Sequence, residues 1–230
     1  MTALATTVQP AGESPVMEPR WPSVLAVLVT IVLWSSLPNR IISDYGSSAV
    51  RFVIPVLELA LLIPLAVAAP HRHVNESGRR RMAAITLTAL VSLVNVAALL
   101  FLIHYLLDAG STVLGRQLLL AGAQIWVTNV IVFGLWYWEL DGGGPPARLR
   151  NPTAPRDFAF VQMTDPEVSR PGWRPQFSDY IYVSFTNSSA FSPTDTLPLS
   201  SAAKWLMLSQ SSISLVTLLL VAARAVNILS

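Results

Sequence analysis

The chain concentrates its small polar side chains near the C-terminal end of an otherwise apolar sequence. Thr186, Asn187, Ser188, Ser189, Ser192, Thr194 and Asp195 lie close together, interrupted by Ala190, Phe191 and Pro193. Hydroxyls and amides are donors and acceptors rather than ready nucleophiles, and their oxygens can replace water around an ion. Downstream, Gln210, Ser214, Thr217 and Arg224 recur at helical spacing on one stripe, with Ser211 beside it. Such a face lines a pore or supplies hydrogen bonds between helices, and the second role is the commoner. Glu58 stands inside a further apolar run, where a carboxylate is costly and must pair, face an interior or stay protonated. It reads as an ion or proton relay, or as a structural partner for Arg51, Arg116, His104 or Gln124.

Other chemistries lack their residues. The chain has no cysteine, which removes disulfides and thiolate catalysis. His71 and His73 have only Glu76 nearby, whereas a metal centre wants three or four convergent ligands, so no metal is expected. Asp141-Gly142-Gly143-Gly144-Pro145-Pro146-Ala147-Arg148 is similar to the Asp-Gly-x-x-Ala-Arg of membrane phosphatidyltransferases. Its spacing is too long by two, and the paired downstream aspartates are missing. No Gly-x-Ser nucleophile with a buried histidine is present for intramembrane proteolysis. The fourth apolar run nearly lacks arginine, which argues against a voltage sensor. The expectation is a protein that is not an enzyme and needs no cofactor.

Composition points to the elements that must position these residues. Only 12% of the 230 residues are charged and 53% are hydrophobic, too little charge to cover a water-facing surface. A net charge of +2 gives no reason to expect nucleic acid. Five apolar runs predict helices at Trp21–Leu37, Val50–Ala69, Met82–Leu107, Gln117–Trp138 and Ala202–Val226. At about 1.5 Å per residue, runs of ~20 residues cross a hydrocarbon core of roughly 30 Å. Trp34, Trp126, Trp136, Tyr137, Trp138 and Trp205 read as interfacial anchors near the run ends. Asn95, His104, Gln124 and Asn129 read as interhelical hydrogen-bonding groups.

The organisation predicted is a disordered tail over residues 1–20, a four-helix membrane region over 21–138, a Pro/Gly-rich extra-membrane loop over 139–176 and a last unit over 177–230. The tail has no signal-peptide pattern. The proline density of the long loop argues against regular helix there. Arg20, Arg72, Arg79, Arg80, Arg81, Arg148, Arg150, Arg156, Arg170 and Arg174 fall on one side of the predicted topology. Arg40, Arg51, Arg116, Lys204 and Arg224 fall on the other, which favours a cytoplasmic N-terminus in the cell membrane.

In the last unit, Phe177–Ala190 is too short to span, and Pro193 interrupts the chain just beyond it. A short re-entrant helix and a return without crossing are therefore predicted. The run from Tyr182 to Pro198 resembles the pore region of two-helix potassium channels. It has an aromatic-rich pore helix, a filter-like pentad at Ala190–Thr194 and Asp-x-x-Pro at Asp195–Pro198. Ser201–Lys204 and Ala223–Val226 resemble the inner helix of that superfamily. The whole chain resembles an uncharacterised bacterial polytopic membrane-protein family, a domain of unknown function with four helices before such a segment. The resemblance implies that Asp195 braces the filter, near the membrane surface, bonded to the pore helix or to Trp205. A potassium filter reads Thr-Val-Gly-Tyr-Gly, whereas Ser192 and Thr194 occupy its glycine positions, so potassium selectivity is not implied.

The expected fold is therefore all-α, with about five transmembrane helices and one short pore-like helix before the last. The expected function is an ion-channel-like pore, its partners the lipid bilayer, an inorganic ion and further copies of the chain. A small carrier using Glu58 and a non-transporting scaffold are the alternatives.

Overall fold

The computed structural model describes residues 78–108 and 115–229, apart from 166, 168, 193 and 194, together with isolated positions 25, 28, 29, 31, 32, 56, 59 and 60. The predicted helices Trp21–Leu37 and Val50–Ala69 lie almost wholly outside the described residues, as do Glu58, Arg51, Trp34, His71 and His73.

Among the described residues, three helices are long and apolar enough to cross a membrane, with candidate spans at Ala84–His104, Leu118–Arg150 and Ser201–Arg224. They lie on α1 (Gly78–Asp108), α2 (Gly115–Leu140), past whose end the second span runs on to Arg150, and α6 (Ser201–Leu229), where the sequence pattern predicts helix. Two hydroxyls of α1 bond back to their own backbone. Thr88 Oγ1 donates to Ala84 O at 2.8 Å and Ser92 Oγ to Thr88 O at 2.8 Å, which satisfies each group locally.

α2 is the central element. Its span is 72% buried, against 22% for that of α6, and it packs on α1, α6 and the short α5 (Phe177–Ser189). Ala98, Leu99 and Leu102 of α1 meet Leu118, Ala121 and Ile125 of α2 in one apolar cluster. The second cluster gathers Phe133, Tyr137 and Trp138 of α2 with Phe177, Tyr180 and Val183 of α5 and Met207 of α6. The expected interfacial anchors differ in burial, with Trp126 and Trp136 half-buried. Tyr137 and Trp138 are fully buried, and the Trp136 indole donates to Ser92 Oγ at 2.9 Å. The long loop folds over this end of α2 and covers aromatics that the sequence places at a helix end. Trp205 alone of these five described aromatics is largely exposed, at 68%.

The loop itself departs from the irregular segment expected. It contains a 3-10 turn at Asp141–Gly143, then α3 (Pro145–Arg150), β1 (Phe158–Phe160) and α4 (Val161–Thr164). Proline opens α3 rather than preventing it, because the first turn of a helix has no use for the missing N–H. β2 (Thr196–Pro198) pairs antiparallel with β1, setting Phe158 opposite Pro198, Ala159 opposite Leu197 and Phe160 opposite Thr196.

Candidate functional site

The short helix α5 starts on a capping box. The Gln176 side chain accepts from the Asp179 N–H, and Asp179 Oδ2 accepts the Gln176 N–H at 2.7 Å. From there α5 runs antiparallel to α2, since rising numbers on one meet falling numbers on the other. Ile181 lies against Gly134, Ser184 Oγ donates to Val130 O at 2.6 Å, and the Trp126 indole donates to Ser188 O at 3.4 Å. Gly134 makes this approach available: a Cβ there would sit 2.5 Å from Ile181 Cδ1. Trp126 lies about 20 Å along α2 from Leu140, so α5 reaches well down the helix.

After Ser189 the chain turns. Phe191 adopts φ of 54°, a left-handed conformation that is strained for a bulky side chain. The return arm then delivers β2 to β1, at the end of α2 where α5 began. α5 lies against the bundle, and with its return it forms a hairpin that exposes Ser189, Ala190, Phe191 and Ser192 at the tip.

The inner face of the hairpin meets α6 in a neutral polar network centred on Gln210, which is fully buried. Gln210 Nε2 donates to Ser184 O at 3.0 Å, Ser184 Oγ at 2.6 Å and Ser188 Oγ at 2.7 Å. Its Oε1 accepts from Asn187 Nδ2 at 2.9 Å and from the Tyr137 hydroxyl. Asn187 Nδ2 also donates to Met207 O at 3.0 Å, and Ser211 Oγ donates to Asn187 Oδ1 at 3.0 Å. One turn on, Asn129 Nδ2 donates to Ser214 Oγ at 2.9 Å and Gln210 O at 3.2 Å.

The residues named as filter-like thus divide. Asn187 and Ser188 are buried and bonded to α6, while Thr186 and Ser189 bond back to carbonyls of their own helix. Ser189, Ala190, Phe191 and Ser192 form the exposed tip, and Pro193 and Thr194 lie outside the described residues. Asp195 is exposed and accepts from Thr196 Oγ1 at 3.3 Å. Gln210, Ser214 and Thr217 are fully buried toward the bundle, and the Thr217 hydroxyl donates to Ile213 O at 2.7 Å. The bond of Thr217 stays within α6, while those of Gln210 and Ser214 are interhelical. Asn129 takes the same role, Gln124 is buried on α2, and His104 is exposed.

A second, charged cluster closes the end of α2, and sequence reasoning missed it. Asp141 is fully buried. Its Oδ1 accepts the N–H groups of Asp157 at 2.8 Å and Phe158 at 3.2 Å. Its Oδ2 accepts the Tyr180 hydroxyl at 2.6 Å and faces Arg156 NH1 at 3.4 Å. Arg148, 3% exposed, donates from NH1 to Trp138 O and Asp141 O, both at 2.7 Å, and lies 5.3 Å from the Tyr180 ring centre. Arg81 of α1 reaches Glu139 O at 3.3 Å. The signal was the run of three glycines after an acid. Gly142, Gly143 and Gly144 all have positive φ, so the chain can fold back over the helix end. The residues that are similar to a phosphatidyltransferase motif are the ones that build this corner.

Compared with family models, curated proteins and solved structures, the chain matches none of them.

Proposed function

We propose that the chain is a multi-pass protein of the cell membrane that forms an ion-conducting pore, without potassium-type selectivity, when several copies assemble. One observation carries this reading: a thirteen-residue helix enters alongside a helix of spanning length, and the chain then returns to the end it came from. Placed in a bilayer, such a hairpin is re-entrant, and irregular backbone at that depth persists where protein buries it or water reaches it. The exposed tip, with Ser189 and Ser192, is the part that would face the axis of an assembly. A lone copy encloses no central pore, so the reading requires an oligomer. With serine in place of a filter glycine at Ser192, the tip offers hydroxyls rather than a ladder of carbonyls, which suits hydrated ions of broad type.

Purified protein in liposomes tests the reading. A pore passes sodium, potassium and small cations down their gradients at rates that do not saturate, and Ser189→Leu with Ser192→Leu lowers that flux severalfold. Flux that saturates with substrate and falls with Glu58→Gln would instead favour the carrier. Orientation is tested on the same cysteine-free background. Asn75→Cys is expected to label from the cytoplasmic face and Ser111→Cys from the opposite one.

The scaffold reading has its own support. The bonding capacity of Asn187 and Ser188 is spent on Gln210 and Met207, so the inner half of the hairpin is built for cohesion. Absence of flux from an oligomer of defined size would decide for the scaffold.

A further inference from the structure

We infer that Asp141 is the positioning residue of the hairpin, through which the extra-membrane loop sets the placement of α5 and its tip. The inference rests on reading α5 as the re-entrant arm of the pore. The Asp141 carboxylate joins the loop to the hairpin. Oδ1 holds the loop, through the backbone N–H groups of Asp157 and Phe158 at the start of β1. Oδ2 faces Arg156 of the loop and also holds the hairpin, through the Tyr180 hydroxyl one turn into α5. β1 in turn pairs with β2, the end of the return arm, and the Leu199 N–H donates to Asp157 O at 2.8 Å.

These bonds close a ring: from Asp141 to Tyr180, down α5 to the tip, back along the return arm to β2, across to β1 and again to Asp141. A displacement of the loop strand therefore reaches both arms of the hairpin together. The corner is preset for this task. Gly144, at φ 90° and ψ 172°, holds a conformation close to glycine-only, and a Cβ there would meet Glu139 O at 3.2 Å. Asp157 Oδ2 accepts the Gly142 N–H at 3.0 Å and braces the turn from the loop side. Arg148 bonds the carbonyls of Trp138 and Asp141, which fixes the helix end relative to its own carboxylate.

The test measures the tip directly. Ser189→Cys reports the hairpin and Met82→Cys, exposed on α1 just ahead of its candidate span, reports the bundle; both are labelled with a maleimide in liposomes. Asp141→Asn and the milder Tyr180→Phe are expected to raise the labelling rate at Ser189→Cys about fivefold. The rate at Met82→Cys and the helical content should stay unchanged. Equal labelling in all variants, or a rise of the same size at both reporters, would overturn the inference. Ion flux is read in parallel on Asp141→Asn, Tyr180→Phe and the unsubstituted protein, all with Ser189 in place. If tip labelling changes as expected while no variant conducts, the pore reading fails and the positioning role of Asp141 stands.

Discussion

Between α2, α5 and α6, a described network of hydrogen bonds joins neutral side chains: Asn129, Tyr137, Ser184, Asn187, Ser188, Gln210, Ser211 and Ser214. At the end of α2 the cluster is charged, with Arg81, Glu139, Asp141, Arg148, Arg156 and Asp157. A neutral amide that finds its partners costs little at membrane depth, whereas an ion there costs several kcal/mol even when paired. The charges stand where the polar loop can fold over them, and the amides stand where only helices are available. The first cluster joins helix to helix. The second joins helix to loop, and it sets where the hairpin begins.

The comparison implies an order of sensitivity that unfolding in detergent can test. Asp141→Ala should cost most, about 3–5 kcal/mol, because it leaves Arg156 without its buried partner and strands two backbone N–H groups and the Tyr180 hydroxyl. If it costs less than any change in the neutral network, the ranking of the two clusters is wrong. Gln210→Leu comes next, at about 2–3 kcal/mol, since Asn187, Tyr137 and Ser188 each lose a bond in a dry site. Gln210→Glu sharpens the point: a carboxylate keeps the acceptor but places charge among neutral groups, so it should be tolerated less well than Gln210→Asn. Gly134→Ala should cost about 1–2 kcal/mol, as the new methyl displaces Ile181 and with it α5. A Gly134→Ala protein of undiminished stability would mean that α5 is not seated tightly on α2. Trp205→Ala, on the exposed face of α6, should change stability by less than about 0.5 kcal/mol.

Much of the architecture is legible in the sequence because length and apolarity are properties of a run. Met82–Leu107, Gln117–Trp138 and Ala202–Val226 fall inside α1, α2 and α6, and Phe177–Ala190 coincides with α5 but for its last residue. The partners of Asn187 and Gln210 are not legible, because a contact depends on how two helices are rotated about their axes, and a stripe on one helix does not name the other. Tyr137 and Trp138 read as anchors because they end an apolar run. The cover supplied by Phe158 and Phe177, far along the chain, leaves no mark near them. Asp141 stands in a stretch whose spacing fails as a catalytic pattern, which hides its other use. That use depends on Asp157, Phe158 and Tyr180, residues that local spacing does not connect to it.

The two-stranded pairing of β1 with β2 also imposes an order on synthesis. β1 leaves the ribosome well before its partner, since α4, α5 and the turn at Phe191 must all be made first. During that interval the backbone of Phe158–Phe160 has no strand to pair with, although Asp141 can already bond the N–H of Phe158. The nascent corner at Asp141 therefore serves as a template, holding one strand in place until the hairpin has gone in and come back. A chain stopped before Thr196 retains the corner and lacks the closure.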